Sequence, residues 1–129
     1  MGSGTHLGRV RGLGSAKAGA HHWWLQRLTA VANAGLMIWL AVSLVRLPLG
    51  DHAAMIQWLA SPLAAVPLLL LVVSVIWHLR LGLQVLIEDY VHDAGNRVAA
   101  LLILNFYAAG AAAVAIFSVL KIAFGGVPA

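Results

Sequence analysis

The sequence predicts an all-α integral membrane protein in which three transmembrane helices form a bundle. Of the 129 residues, 62% are hydrophobic and 9% are charged, and the mean hydropathy is +0.92, which is too apolar for a soluble domain of this length. Three apolar stretches, at 28–45, 62–87 and 98–120, are each long enough to span a bilayer, which takes about 20 residues. The connectors at 46–61 and 88–97 are short and polar, so no soluble domain fits between the spans.

Composition divides the chain into three segments. Residues 1–22 are rich in glycine and free of acidic residues, and we expect a flexible cytoplasmic segment there. Residues 23–124 form the three-span membrane domain, and 125–129 form a short tail. The first segment has no apolar core, so no cleaved secretory signal is expected; it also lacks the apolar stripe of a mitochondrial transit helix, which makes that alternative the less favoured one.

The second span contains an imidazole at mid-depth. Burial of the His78 ring in hydrocarbon without a partner costs on the order of a few kcal/mol, which indicates a functional residue satisfied by hydrogen bonds or by a metal. Ser74 and Gly82 lie one turn before and after it, so a flat ligand could lie against this face. Simple close packing of helices explains the same small residues, and His78 could instead bond a backbone carbonyl of a neighbouring helix.

The cytoplasmic end of this span carries Glu88, Asp89 and Tyr90. Acidic residues oppose the helix dipole at a carboxyl end, so stability does not explain them. Helix geometry sets Asp89 within about 20° of the azimuth of His78 and ~16 Å along the axis. A phenol here can donate a hydrogen bond to a carbonyl oxygen of a lipophilic ligand beside a proton-accepting carboxylate, although an ordinary interfacial tyrosine is the alternative. Arg80 is rotated about 200° from His78 and belongs to a different environment, pairing with a partner helix or reaching toward the interface.

Basic residues at the span ends predict the orientation. One side has Arg9, Arg11, Lys17, Arg27 and Arg97, whereas the other has Arg46 and Lys121. The amino terminus and the second loop are therefore expected in the cytoplasm. This distribution also explains the net charge of +4, so nucleic-acid binding is not supported. The chain has no cysteine, which excludes disulfides and a thiolate-ligated iron–sulfur cluster of its own.

Two motifs carry a family resemblance. One is His78-Leu-Arg-Leu-Gly82 followed by Asp89-Tyr90-Val91, and the other is His-His-Trp-Trp-Leu-Gln-Arg-Leu-Thr-Ala at 21–30. Together they resemble the smaller hydrophobic membrane-anchor subunit of succinate dehydrogenase, respiratory complex II. The resemblance covers most of the chain, apart from the glycine-rich amino terminus and the third span.

The resemblance implies the sites of two groups. His78 matches the axial ligand of a b-type heme. Since Ser74 and Gly82 flank His78 on the same helix face, we expect them to pack against that heme. Tyr90 and Asp89 match the residues of a ubiquinone site.

Arg27 and His21 match residues near the heme propionates and the quinone pocket. The doubled histidine, His21 and His22, leaves open which of the two corresponds to the family position.

The resemblance also implies partners and a role. The second heme ligand is expected from the larger cytochrome b anchor subunit, and the flavoprotein and iron–sulfur subunits dock at the cytoplasmic face. The chain would not be an enzyme on its own, since it has no flavin or dicarboxylate motif. It would serve the tricarboxylic acid cycle and respiratory electron transport in a bacterial inner membrane. A heme-free structural anchor, a fumarate reductase anchor and a small transporter or channel subunit are the alternatives.

Overall fold

A computed structural model of the chain describes residues 5–12 and 19–125. All regular elements in these ranges are α-helices: α1 (His6–Val10), α2 (Gly19–Arg46), α3 (His52–Ala60), α4 (Pro62–Tyr90) and α5 (Ala94–Phe124). By length and composition, α2, α4 and α5 are each able to cross a membrane. The predicted all-α fold with three transmembrane helices is therefore confirmed.

The transmembrane helices are longer than the apolar stretches that predicted them. The predicted first span began at residue 28, whereas α2 begins at Gly19. The helical hydrogen bonds continue through the polar residues at the membrane surface, because helix formation satisfies the backbone and does not require apolar side chains. Residues 1–4, 13–18 and 126–129 lie outside the described residues. They include Lys17 and most of the predicted carboxyl-terminal tail.

Helix α3 lies within the connector at 46–61, for which the sequence predicted only a short, polar segment. Asp51 caps its amino end, where Oδ1 accepts a hydrogen bond from the Ala54 backbone N–H at 3.2 Å. Trp58 of α3 stacks on Trp39 of α2, with ring centroids 5.9 Å apart and planes inclined at 23°. Asp51 was the sequence signal for this helix, because aspartate is among the preferred amino-terminal caps.

Helix α4 is the central element of the bundle. It packs against α2 and against α5, while α2 and α5 make no contact with each other within the described residues, and α3 lies against α4 and α5. Few side chains in the described ranges are buried; they are Ala64, Ala65, Leu71, Ser74, Leu81, Leu104 and Ala108. Most large apolar side chains therefore face outward, as expected for a helix layer that lipid or partner helices cover.

The short connector between α4 and α5 is held by side chains from both ends of the turn. Asp93 caps α5 by accepting a hydrogen bond from the Asn96 N–H at 2.9 Å. Arg97 reaches back, so that Nε donates to the Val91 carbonyl at 3.0 Å and Nη2 donates to the His92 carbonyl at 3.3 Å. This local network fixes the antiparallel arrangement of the two helices at their shared end.

Candidate functional site

The mid-span histidine lies at the interface of α2 and α4, where it contacts a threonine. His78 is half-buried, and its Nδ1 lies 3.0 Å from Oγ1 of Thr29 on α2. Thr29 Oγ1 also lies 2.7 Å from the Leu25 carbonyl and 3.1 Å from the Gln26 carbonyl, one turn earlier on its own helix. The imidazole is therefore satisfied at one ring nitrogen by a side chain, and not by a backbone carbonyl of a neighbouring helix.

The small residues on either side of His78 both lie toward α2. Ser74 is buried, and its hydroxyl donates to the backbone carbonyl of Thr29 at 3.2 Å. A Cβ placed on Gly82 would lie 3.9 Å from Nε2 of Gln26. These residues allow α4 to approach α2 closely, as the packing interpretation predicted. Their proposed contact with a heme remains a prediction.

A groove of about 460 Å³ opens beside His78 between α2 and α4. Its walls are formed by Gly19, His22, Trp23, Gln26, Arg27 and Ala30 from α2 and by His78 and Val85 from α4. The structure thus brings two of the predicted site residues, His78 and Arg27, to one groove. Arg27 Cζ lies 5.4 Å above the centre of the Trp23 ring, which fixes the cation at the groove wall.

The two adjacent histidines of α2 lie on different sides of Arg27. His22 is half-buried and lines the groove beside His78, whereas His21 is exposed and lines a separate depression of about 280 Å³ with Trp24. Arg27 borders both cavities. A rotation of about 100° per residue separates neighbouring side chains on a helix, so only one of the pair can face His78. The sequence could not choose between them, and the structure sets His22 in the groove.

The structure does not bring Tyr90 and Asp89 to the His78 groove. Both are exposed at the end of α4, with 75% of the Tyr90 side chain accessible, and neither has a hydrogen-bond partner among the described residues. Tyr90 lies twelve residues beyond His78, or ~18 Å along the helix. The neighbouring Glu88 accepts a hydrogen bond from Gln84 at 2.9 Å. The predicted quinone residues thus form a separate surface at the end of the bundle.

Arg80 occupies a third environment, between α4 and α5. Its Nε donates to Oδ1 of Asn105 at 2.6 Å, and its Cζ lies 5.6 Å from the centre of the Trp77 ring. The three side chains line a cavity of about 230 Å³ whose remaining walls are apolar. This agrees with the prediction that Arg80 and His78 lie in different environments.

Two residues of the site were missed by sequence reasoning. Thr29 stood inside a quoted motif without a role, and Gln26 was not considered, although it lines the groove and contacts the position of Gly82. The sequence did contain a signal for them: Gln26 and Thr29 are three residues apart, so these two polar side chains lie on one face of α2, next to Arg27. The described residues contain no group of three or more His, Cys, Asp or Glu side chains that could hold a metal ion by themselves.

Comparisons with known proteins agree with the sequence resemblance. Residues 1–120 match the family described as the succinate dehydrogenase/fumarate reductase transmembrane subunit. A succinate dehydrogenase hydrophobic membrane anchor subunit of Rickettsia bellii (strain RML369-C) is 39% identical over 83 residues, which are 64% of this chain and 66% of that protein. A succinate dehydrogenase membrane anchor subunit of Reclinomonas americana is 31% identical over 96 residues, which are 71% of this chain and 79% of that protein.

The matched region spans about two thirds of the Rickettsia bellii relative. The family match extends from residue 1 to residue 120, so it includes both motifs, the whole of α2 and α4, and all but the last four residues of α5. The chain is a multi-pass membrane protein that belongs to the family of succinate dehydrogenase and fumarate reductase transmembrane subunits.

Proposed function

We propose that this chain anchors a succinate dehydrogenase complex in the membrane, supplies His78 as one axial ligand of a heme b, and contributes Tyr90 and Asp89 to a ubiquinone site. The observation that carries the proposal is the arrangement of His78. One ring nitrogen is held by Thr29, and the ring borders an open groove that also contains Arg27. An imidazole in a membrane span is costly unless it has a partner, and a metal in this groove would provide one.

The residues of the groove fit a heme. Its volume of about 460 Å³ lies within the ~300–1,000 Å³ common for bound small molecules. Ala30, which is next to Thr29, offers apolar surface at the level of the imidazole, while Arg27 and His22 border the groove nearer the start of α2, at the end where Val85 completes the α4 wall. An apolar plane with anionic groups at one edge is the ligand that this distribution of side chains would bind.

A bound heme b would supply one-electron transfer at its iron. The residues of this chain bind and orient it. Nε2 of His78 would coordinate the iron, Arg27 would pair with the heme carboxylates, and the α2–α4 wall would exclude water from the apolar edge. The second protein ligand would come from the larger cytochrome b anchor subunit. His78 is the only histidine of this chain within the apolar stretches, so this chain supplies one ligand.

The end of α4 would form part of the ubiquinone site. Tyr90 and Asp89 are exposed there, so the phenol can donate a hydrogen bond to a quinone carbonyl and the carboxylate can accept or relay a proton. The rest of the pocket must come from other subunits, because α4 offers only one wall at this level. The flavoprotein and iron–sulfur subunits dock at the same cytoplasmic face and carry out succinate oxidation. The bacterial inner membrane is the proposed location, in keeping with the Rickettsia relatives.

Replacement of the proposed ligand tests the heme assignment. We expect the purified complex with His78→Ala to lose most of its b-type absorption in a reduced-minus-oxidised spectrum, because the iron loses a protein ligand. The matched control is His52→Ala, at the first position of α3 outside the transmembrane helices. An unchanged spectrum in the His78 variant would show that the imidazole does not bind the iron.

The competing functions differ in measurable ways. A heme-free anchor of the same family would give no b-type spectrum in the wild-type complex. A fumarate reductase anchor, which the family description also covers, would show a different preferred quinone and reaction direction. A transporter path lined by both His78 and Arg80 is disfavoured, because these residues bond to different helices and line different cavities.

A further inference from the structure

Thr29 has one hydroxyl hydrogen and three close polar neighbours. Oγ1 lies 2.7 Å from the Leu25 carbonyl, 3.1 Å from the Gln26 carbonyl and 3.0 Å from Nδ1 of His78. The two carbonyl oxygens can only accept, and the shortest contact is the one to Leu25. The hydrogen therefore lies on the bond to Leu25, as is usual for threonine within a helix.

This bond determines the tautomer of His78. With its hydrogen donated to Leu25, Thr29 Oγ1 can only accept from the imidazole, so Nδ1 must carry a hydrogen. In the neutral ring the lone pair is then on Nε2. That is the nitrogen that has no hydrogen-bond partner among the described residues.

A second hydrogen bond fixes the position of the threonine itself. The buried Ser74, one turn before His78 on α4, donates to the backbone carbonyl of Thr29 at 3.2 Å. Both hydrogen bonds that join α4 to α2 near His78 therefore involve Thr29. The carbonyl bond fixes the backbone, and the hydroxyl bond fixes the ring.

We infer that Thr29 is a positioning residue for iron ligation, which holds His78 as the Nδ1–H tautomer and so presents the Nε2 lone pair to the groove. This inference rests on the proposed heme function. An acceptor for the distal N–H of a ligating histidine fixes the ring and increases the electron donation of the coordinating nitrogen. Stronger donation favours the oxidised iron, so the Thr29 hydroxyl is expected to lower the midpoint potential of the heme.

The test compares Thr29→Val, which removes the hydroxyl and preserves the shape, with Thr29→Ser, which preserves the hydroxyl. In the purified complex we expect the valine variant to bind heme about ten-fold or more weakly. The heme that remains should show a higher midpoint potential in a redox titration and a changed low-spin ferric electron paramagnetic resonance spectrum. The serine variant should resemble the wild type in all three measurements.

Ser118→Ala is the matched control. It removes a hydroxyl that, like that of Thr29, donates to a carbonyl one turn earlier on its own helix, but it does so on α5, which makes no contact with α2 within the described residues. We expect it to leave the midpoint potential unchanged. An unshifted potential in Thr29→Val, or an equal shift in Ser118→Ala, would overturn the positioning role. A valine variant that fails to assemble while the serine variant assembles would also overturn it, because the hydroxyl would then be needed for helix packing. A wild-type complex without a b-type spectrum would instead refute the proposed function.

Discussion

A threonine and a histidine that are 49 residues apart in the chain form the polar centre of the α2–α4 interface. Polar side chains within a membrane bundle generally bond across helices, since lipid offers them no partner. Here the contact occupies one nitrogen of a residue that has two, and the other nitrogen has no hydrogen-bond partner among the described residues. The exposed Tyr90 at the end of the same helix has neither a partner among the described residues nor a packing role, and it allows a direct test of function at a single side chain.

Tyr90→Phe removes only the phenolic hydroxyl of the proposed quinone site. Since a hydrogen bond contributes about 1 kcal/mol net, we expect quinone reduction by the complex to fall about five-fold or more. Succinate oxidation measured with an artificial dye should be unaffected, because it does not require the quinone. The control is Tyr107→Phe, at a similarly exposed tyrosine on α5. Equal losses in both assays would argue against a role at the quinone.

At the scale of the helices, α4 presents two different polar contacts to its two neighbours. Toward α2 it presents His78 and Ser74, and toward α5 it presents Arg80, whose Nε donates to Asn105. An arginine within a membrane span is costly without a hydrogen-bond acceptor. The Asn105 carboxamide provides that acceptor, and the same hydrogen bond holds α5 against α4. The interface should therefore be sensitive to the loss of the acceptor alone.

We expect Asn105→Leu to destabilise the complex by about 1–2 kcal/mol, because Arg80 then lacks its acceptor. The double variant Arg80→Leu/Asn105→Leu should be more stable than the sum of the two single changes predicts, since the charge is removed together with its partner. Thermal unfolding of the detergent-solubilised complex measures both effects. Strict additivity of the two changes would mean that the two side chains are not coupled.

At the scale of the whole molecule, α2, α4 and α5 form a layer of three helices. A three-residue connector joins α4 to α5 at one end of this layer, and α3 lies at the other end. The basic residues concentrate at the end that carries the α4–α5 connector and the start of α2, which predicts a cytoplasmic location for that end. The proposed heme groove extends to Gly19 at the start of α2, and Tyr90 lies at the same end of the layer. The predicted orientation thus sets both sites on the side where the peripheral subunits would dock.

The absence of cysteine makes this orientation simple to test. His92→Cys lies in the connector between α4 and α5, and Gly50→Cys lies in the loop before α3. We expect a membrane-impermeant maleimide to label the Gly50 variant in intact cells and to label the His92 variant only after permeabilisation. The opposite pattern would reverse the assigned topology.

The sequence allowed prediction of one pair of neighbours in the candidate site. Arg27 and His78 were both assigned to the heme region on the resemblance, and both line one groove. The choice between His21 and His22 was not available from the motif, because the two residues are adjacent and differ only in their rotation about α2. Helix α3 was missed for another reason: its capping residue, Asp51, stood in a segment too short to be read as a span.

The sequence by itself determined the membrane class, the three spans and the family, because hydropathy and motif spacing are properties of single segments of the chain. The tertiary structure alone decided that Thr29 contacts His78, that Asn105 contacts Arg80 and that His22 faces the groove. Each of these depends on how one helix is rotated against another. That rotation is set by the packing of side chains from distant segments, including the close approach that Ser74 and Gly82 allow.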